Sequence, residues 1–344
     1  MKTLHFLALA VVMIALPTAA TAGTLLVANK SSKTLTLVDA QTGEIESVLP
    51  TEAGPHEVDV SPDGRTAVVA NYGANTAGNT LTVIDIPGAH VTHTIDLDEH
   101  TRPHGVVWLN DNRRAVVTTE GSQSLLVVDI SDGKIEQVYP TDQDVSHMVA
   151  VRQAQGNEPA VAFVSSIGSG TVTKIVLGDD RVVSKKTGDG AEGIAVSPDG
   201  ETVWIANRGV DNLVVLDTDT LETRATLDTG EFPLRVEFTH DGEHAVVTNA
   251  REDTLSIYDV ESLRFVRKVA LGVEGGKGAS IFGEFDASVP IGIQPAPGRL
   301  WIAHANGDRV SEVDTETWKV TRLIDAGKEP DGMGYSRMDA GTIE

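Results

Sequence analysis

The sequence contains no cysteine. This absence excludes disulfide bonds, covalent haem attachment, thiolate metal sites and cysteine nucleophiles. Stability must therefore come from burial alone, and a chain of 344 residues is long enough to bury a large core.

Basic residues are also scarce. Lysine and arginine together number 27, against 50 aspartates and glutamates, so the formal net charge is −23 at pH 7. A field of this sign repels nucleic acid and anionic lipid, and we expect no nucleic-acid partner. The charge alone points to no other partner.

Long apolar runs are confined to the N-terminus. Residues 1–22 contain Lys2, an apolar run from Leu4 to Leu16, and small residues ahead of Gly23, which is typical of a cleaved secretory signal. The run is shorter than the roughly 20 residues that a membrane helix needs, and nothing later approaches that length. We therefore expect no membrane insertion, a periplasmic or secreted location, and one mature domain over residues 23–344.

A repeat runs through the rest of the chain. An aspartate ends a short apolar stretch at intervals of 46, 44, 88, 42 and 55 residues. A period of about 44, filled with short strands and tight turns, is typical of a propeller blade and not of a helical array. The sequence thus predicts an all-β, seven-bladed β-propeller. The repeated aspartates, expected to bind turn amides, are Asp39, Asp85, Asp129, Asp217, Asp259 and Asp314.

The two chain ends are predicted to share one blade. The first copy starts directly at its second strand, with Leu25, whereas residues 329–336 match the strand that opens the second copy at residues 54–61. A C-terminal strand would complete the first blade, close the ring and remove an exposed sheet edge. Two departures from the repeat are a degenerate fourth copy and an inserted loop at residues 272–288.

The segments Val68 to Asn71, Val203 to Asn207 and Val246 to Asn249, with the turn from Ser197 to Gly200, resemble the repeat of the YVTN family of β-propellers. The resemblance covers essentially residues 24–336. It implies a seven-bladed fold and an exported protein, and it carries over no catalytic residue. That family is similar to the propellers of cytochrome cd1 nitrite reductase, nitrous oxide reductase and the amine dehydrogenase large subunits.

One position of the repeat collects residues with ligand chemistry. The first strands of the seven copies begin with acids and histidines on five consecutive blades, although the chain has only 10 histidines. We expect these side chains to meet at the mouth of the central channel, together with His100 and His304. In order from blade one to blade seven, the aligned residues are Asp331, His56, His104, His147, Glu192, Leu234 and Ile291.

Imidazole and carboxylate together suit a divalent transition metal, so the metal ligands are predicted to be His56, His104 and His147. The alternative is that this position simply prefers polar residues that cap the strand. Further ligand-binding candidates on the same face are Arg102, Arg235, Tyr72, Glu192 and Asp331, and the glycine-rich insertion is a candidate lid.

Three classes of function remain open on this basis. The first is an exported binding protein that holds a small molecule, a metal or another exported protein at the histidine face. The second is a metal-dependent enzyme, a lyase, hydrolase or oxidoreductase, that uses the same cluster. The third is a non-catalytic scaffold for a redox partner.

Overall fold

The computed structural model describes residues 23–179, 181–275, 279–280, 283–284 and 287–341. The predicted signal, residues 1–22, lies outside these ranges. The described residues form seven four-stranded antiparallel sheets and one small hairpin, with no α-helix among them. In that part of the chain no helix is long and apolar enough to cross a membrane. The predicted all-β, seven-bladed propeller is confirmed.

Each blade has an inner, a second, a third and an outer strand. In that order the strands of blade one are Pro330–Ser336, Thr24–Asn29, Thr34–Asp39 and Ile45–Pro50; of blade two, Pro55–Val60, Thr66–Gly73, Ala77–Asp85 and His90–Asp96; of blade three, Pro103–Trp108, Arg114–Thr119, Ser124–Asp129 and Ile135–Pro140; and of blade four, Ser146–Arg152, Val161–Ser166, Thr171–Val176 and Val182–Lys186.

The remaining blades follow the same order. The strands of blade five are Ala191–Val196, Thr202–Asn207, Asn212–Asp217 and Thr223–Asp228; of blade six, Pro233–Phe238, His244–Asn249, Thr254–Asp259 and Arg264–Ala270; and of blade seven, Pro290–Ala296, Arg299–His304, Arg309–Asp314 and Lys319–Asp325. The insertion between blades six and seven contains the hairpin of Ala279–Ser280 with Gly283–Glu284.

The ring closes through blade one, as predicted. Its inner strand, Pro330–Ser336, pairs antiparallel with Thr24–Asn29, so that Leu25 faces Tyr335 and Val27 faces Met333. Because this inner strand comes from the C-terminus and its neighbour from the N-terminus, the two chain ends are held in one sheet. No open strand edge remains at the junction.

The recurrent aspartates end the third strands and bind backbone amides of the following turn, as predicted. Asp39 Oδ1 accepts from the amides of Gln41 and Thr42 at 2.8 and 2.6 Å. The other five aspartates accept turn amides in the same way. Their role is structural, since an aspartate side chain satisfies turn N–H groups that the ladder leaves unpaired.

All seven inner strands enter the sheet in the same unusual way. The residue before each one has a positive φ, between 56° and 71°. Its carbonyl accepts a backbone amide from the end of the second strand or just beyond it; in blade two, the Gly54 carbonyl accepts from Tyr72, the residue after Asn71. The register then shifts between the first and fourth residues of the inner strand. This β-bulge leaves the second and third residues outside the regular ladder.

The core lies between neighbouring blades. Blades five and six, for example, pack Trp204 against Phe238 with ring centroids 5.7 Å apart, and Tyr258 is also fully buried there. Because each sheet is covered on both faces, second and third strands such as Val203 to Ala206 carry continuous apolar runs instead of alternation. The rigid packing of the blades fixes where the inner bulges meet.

Candidate functional site

The bulge places the predicted aligned residues at one structural position. Each is the second residue of its inner strand, directly after the residue that pairs with the end of the second strand. We call these seven residues the first ring: Asp331, His56, His104, His147, Glu192, Leu234 and Ile291. All seven are at most 7 % exposed, so their side chains point inward and not to bulk solvent.

Three histidines of the first ring stack on one another. The ring centroids of His56 and His104 are 3.9 Å apart, and those of His104 and His147 are 3.7 Å apart, with interplanar angles of 44° and 41°. The middle ring, His104, is 1 % exposed, and neither of its nitrogen atoms has a hydrogen-bond partner among the described residues. Buried polar atoms are rarely left in this state, and His56 Nδ1 and His147 Nε2 share it.

Each of the outer two histidines lies beside a carboxylate. His147 Nδ1 lies 2.6 Å from Glu120 Oε1, and His56 Nδ1 lies 3.3 Å from Asp331 Oδ2. The Nε2 atom of His147 then lies 3.5 Å from Glu192, whereas that of His56 lies 3.0 Å from Lys30 Nζ. A carboxylate bonded to one imidazole nitrogen, as Glu120 is to His147, fixes the orientation of the ring.

Their surroundings shift the pKa values of His104 and His147 in opposite directions. Burial, with the neighbouring charges of His147 and His56, lowers the pKa of His104 well below its ordinary value. Burial also opposes the charged form of His147, but hydrogen bonds to Glu120 and Glu192 outweigh it and raise the pKa of His147. His104 is therefore a neutral imidazole at pH 7, the form that binds metal.

Arg235 lies beneath the histidines as a buried clamp for carboxylates. Its guanidinium lies 2.6 Å from Glu57, 3.3 Å from Glu192 and 4.0 Å from Asp331, and its side chain is 5 % exposed. Burial would raise the pKa of Glu192, but the bond from His147 and the charges of Arg208 and Arg235 lower it to about 2. Arg235, predicted as a ligand-binding residue, is thus engaged by the acids of the site itself.

A cavity of about 680 Å³ opens beside the histidine stack. It is bordered by a second set of equivalent residues, which we call the second ring. The backbone amide of each one donates to the carbonyl of the residue that precedes an inner strand. Five of its members line the cavity: Lys30, Tyr72, Glu120, Ile167 and Arg208, with Ala250 and Ala305 completing the set. The cavity also touches His56, His104, His147 and Glu192 of the first ring.

Tyr72 and Arg102 meet at the rim of this cavity. The Tyr72 hydroxyl donates to Glu120 Oε2 at 2.5 Å, and the Arg102 guanidinium carbon lies 4.8 Å from the centroid of the Tyr72 ring. Burial and the bond to Glu120 raise the pKa of Tyr72 to about 12, so its proton stays in place. Tyr72, Glu120 and His147 form a continuous hydrogen-bonded chain.

Two sets of side chains have ligand atoms close enough to hold a metal ion. One comprises His56, Glu57 and His104, and the other comprises His104, Glu120 and His147; within each set the ligand atoms lie within 4.8 Å of one another. His104 belongs to both. The predicted trio of histidines is therefore brought together, but as two overlapping ligand sets, each of which includes a carboxylate that the prediction did not assign.

Other predicted members of this face do not reach the cavity. His304 is fully buried between Ser288 and Ser311, whose hydroxyls lie 2.7 and 2.8 Å from its ring nitrogens. His100 lies 3.1 Å from Ser122 and is not among the residues that line the cavity. Residues 276–278, 281, 282, 285 and 286 of the candidate lid lie outside the described residues, so the lid stays a prediction.

Sequence reasoning missed Glu57, Glu120 and Lys30. The last two belong to the second ring, which recurs with the same period as the first and could have been aligned in the same way. Its members share no residue type. They recur only in position, directly after the asparagine that ends the repeat segment in several blades, such as Asn29 and Asn207. Glu57 directly follows His56 at the bulge, where both residues turn inward.

Comparisons with known proteins agree with this architecture. A curated relative, hydrazine synthase subunit beta of Kuenenia stuttgartiensis, is 24% identical over 176 residues, which are 51% of this chain and 39% of that protein. The chain thus matches well under half of that relative's length.

Solved structures resemble the fold at low identity. A functionally unknown protein from Desulfotomaculum acetoxidans DSM 771 has a TM-score of 0.74 at 16% identity, covering 91% of this chain and 99% of its own. Dihydro-heme d1 dehydrogenase NirN, solved in complex with DHE, has a TM-score of 0.62 at 16% identity, covering 90% and 64%. The family model described as lactonase, 7-bladed beta-propeller, matches residues 27–265, more than half of the sequence. The chain therefore belongs to the lactonase family of seven-bladed β-propellers.

Proposed function

We propose that this protein is an exported binding protein that holds a divalent transition-metal ion at His104. The observation that carries the proposal is the setting of His104: its imidazole is 1 % exposed, lies between two further histidines, and has two nitrogen atoms without a hydrogen-bond partner among the described residues. An unsatisfied buried polar group costs free energy, about 1–3 kcal/mol, which a bound ion would recover.

The donors around His104 match this chemistry. Imidazole nitrogen and carboxylate oxygen are preferred by zinc and similar first-row ions, and the chain has no thiolate to redirect the choice. Glu120 and Asp331 contact the outer histidines as the orienting carboxylates of metal sites do. Export rests on the N-terminal pattern at residues 1–22, and it remains part of the proposal.

Metal content of protein purified without a histidine tag tests this function. After treatment with a chelator and addition of Zn²⁺, we expect the wild type to retain the ion through desalting and to melt at a higher temperature than the metal-free form. His104→Ala should abolish both effects. His90→Ala is the matched control, because the His90 side chain is 59% exposed on an outer strand.

Two carboxylate variants tell the ligand sets apart. Glu57→Gln removes a donor from the His56 side of His104, and Glu120→Gln removes one from the His147 side. The variant that touches the occupied set should weaken Zn²⁺ binding roughly 10–100-fold, whereas the other should change it little. Retention of Zn²⁺ by His104→Ala at the wild-type level would refute the proposal.

A metal-dependent hydrolase is the second candidate. The observation that favours it is the bonded chain of Tyr72, Glu120 and His147 at the cavity wall, in which Glu120 holds the imidazole of a candidate general acid or base. The family name suggests lactones as the substrates to try. Hydrolysis of γ-butyrolactone by the Zn²⁺-loaded protein, followed by pH-stat, should then fall in Glu120→Gln; equal rates with and without protein would exclude this substrate.

A further inference from the structure

We infer that the cavity beside the histidines binds a small organic polycarboxylate. This inference goes beyond metal binding and stands on different residues, those of the rim. Its first support is size: a volume of about 680 Å³ lies in the range of small-molecule pockets, roughly 300–1,000 Å³, and far exceeds what one ion needs. One water occupies about 30 Å³ of the liquid, so the space holds many water-sized volumes.

The second support is the charge of the rim. The chain as a whole has nearly twice as many acids as bases, yet four basic side chains gather at this one cavity: Lys30, Lys33, Arg102 and Arg208. Two of them are paired, since Lys30 lies 3.7 Å from Asp331 and Arg208 lies 2.5 Å from Glu192. Scattered cations in an acidic protein normally pair with the surplus acids. A concentration of cations around a concave site instead favours an anionic ligand.

The acids that line the cavity are already engaged. Glu120 accepts from Tyr72 and lies against His147, Glu192 contacts Arg208 at 2.5 Å, and Glu329 accepts from the Ser31 hydroxyl at 2.5 Å. In contrast, neither Arg102 nor Lys33 has an ion pair within 4.0 Å among the described residues. Arg102 and Lys33 are thus available to a ligand, because the carboxylates that line the cavity are bonded to other groups.

Arg102 is positioned and not simply exposed. Its backbone is held by the positive-φ entry into the inner strand of blade three, and its carbonyl accepts the amide of Glu120 at 3.0 Å. Its guanidinium lies over the Tyr72 ring, which restricts the side chain. A planar guanidinium held in this way offers paired N–H donors in the geometry that a carboxylate accepts.

The lining also provides an apolar wall. Ile167 and Ile291 face the cavity together with the Tyr72 ring. A ligand that suits both parts has carboxylates directed to Arg102 and Lys33 and a carbon skeleton against the isoleucines. His104 lines the same cavity, but the ligand described here needs no metal ion there.

Calorimetric titration of the chelator-treated protein tests the inference. The probes are citrate, benzene-1,3,5-tricarboxylate as a flat aromatic equivalent, and trimethyl citrate as the uncharged counterpart. We expect at least one of the two anions to bind saturably and trimethyl citrate not to bind. Arg102→Gln should weaken the anion about tenfold, which corresponds to about 1.4 kcal/mol, and added NaCl should weaken it further.

Arg267→Gln is the matched control, because Arg267 is exposed on the outer strand of blade six, away from the cavity. An equal loss in both variants would overturn the inference, as would binding of trimethyl citrate as tight as that of citrate. Absence of binding by both anions up to about 10 mM, a bound of about −2.7 kcal/mol, would overturn it too.

A parallel titration with Zn²⁺ alone separates this inference from the proposed function. Zn²⁺ binding without anion binding would sink the polycarboxylate site and keep the metal site. Anion binding without Zn²⁺ binding would do the reverse. Lys33→Gln gives a second rim variant in case Arg102→Gln disturbs the Tyr72 contact, and we expect it to weaken the anion without changing Zn²⁺ binding.

Discussion

At the scale of single residues, equal side chains acquire different chemistry from their partners. The rings of His104 and His147 are in contact at a tilt of 41°, but only His147 has a carboxylate within hydrogen-bond distance on its Nδ1 atom. The pKa of His104 is therefore lowered and that of His147 is raised. Perturbed groups of opposite direction in one cavity are typical of functional sites.

His304 shows how a fold position can accept a different residue. Asn249, its equivalent in blade six, donates to the hydroxyls of Thr254 and Ser256, and Asn29 binds Thr36 in blade one. His304 contacts Ser311, which occupies the same place seven residues on. Its role is structural. The sequence predicts it at the ligand face because an imidazole stands where other blades have asparagine.

The burial of His304 predicts a dependence of stability on pH. Burial lowers its pKa to about 3, whereas the unfolded chain takes up the proton near pH 6.5. The contribution of His304 is thus fully present above about pH 6.5 and falls as the pH drops toward 3, by at most about 1.4 kcal/mol per pH unit. His304→Asn should lose less stability than the wild type between pH 7 and pH 5 in urea unfolding. Parallel curves for the two proteins would contradict this account.

At the scale of elements, the inner-strand bulge decides both the site and the packing of the blades. Its second residue forms the first ring, and its third residue is glycine in four blades: Gly105, Gly193, Gly292 and Gly332. A Cβ added at Gly193 would lie 2.5 Å from the carbonyl oxygen of Leu234 and 2.7 Å from the Cα of Arg235. These glycines allow the backbones of adjacent blades to approach closely.

Gly193→Ala should therefore destabilise the protein, by about 1–3 kcal/mol, because backbone atoms of blade six must move. It should also displace Arg235 from Glu192 and Glu57. Met148→Ala is the control, since blade four already has a side chain at the same bulge position. Guanidinium unfolding measures both, and an unfolding midpoint for Gly193→Ala equal to that of the wild type would show that the interface has room.

The elements also explain what could be predicted. The first ring could be aligned because the start of the inner strand is recognisable in each copy of the repeat. His56, His104 and His147 therefore occupy the same position of the alignment. The second ring could not be recognised from residue type, because Lys30, Glu120 and the others share only a position. The contacts between the imidazoles and the two overlapping ligand sets depend on the bulge. The alternation of apolar and polar residues along a strand does not indicate where a bulge occurs.

At the scale of the whole molecule, the repeat specifies the fold far more strongly than the site. Seven copies of one pattern give independent support for the same blade, and even the degenerate fourth copy forms four strands, with an isolated bridge between Gln155 and Glu158 in place of the usual turn. The site, by contrast, draws on side chains of six different blades, and these side chains approach one another only once the ring is closed.

Closure therefore supports both stability and function, and its removal gives the sharpest prediction for the molecule. Deleting residues 329–344 removes Met333 and Tyr335 from the buried cluster that contains Leu25 and Val27, and it exposes the edge of the strand Thr24–Asn29. It also removes Asp331 from the first ring.

We expect that truncation to cost much of the stability of a typical domain, about 5–15 kcal/mol, so that the protein melts far below the wild type or does not fold. Deleting residues 276–286, a segment of the insertion, is the control and should cost little, because it removes no blade strand. Adding a synthetic peptide of residues 329–344 to the truncated protein should raise the melting temperature with the logarithm of peptide concentration, since the peptide supplies the missing strand. A truncated protein with an unchanged melting temperature would show that the ring holds without its C-terminal strand.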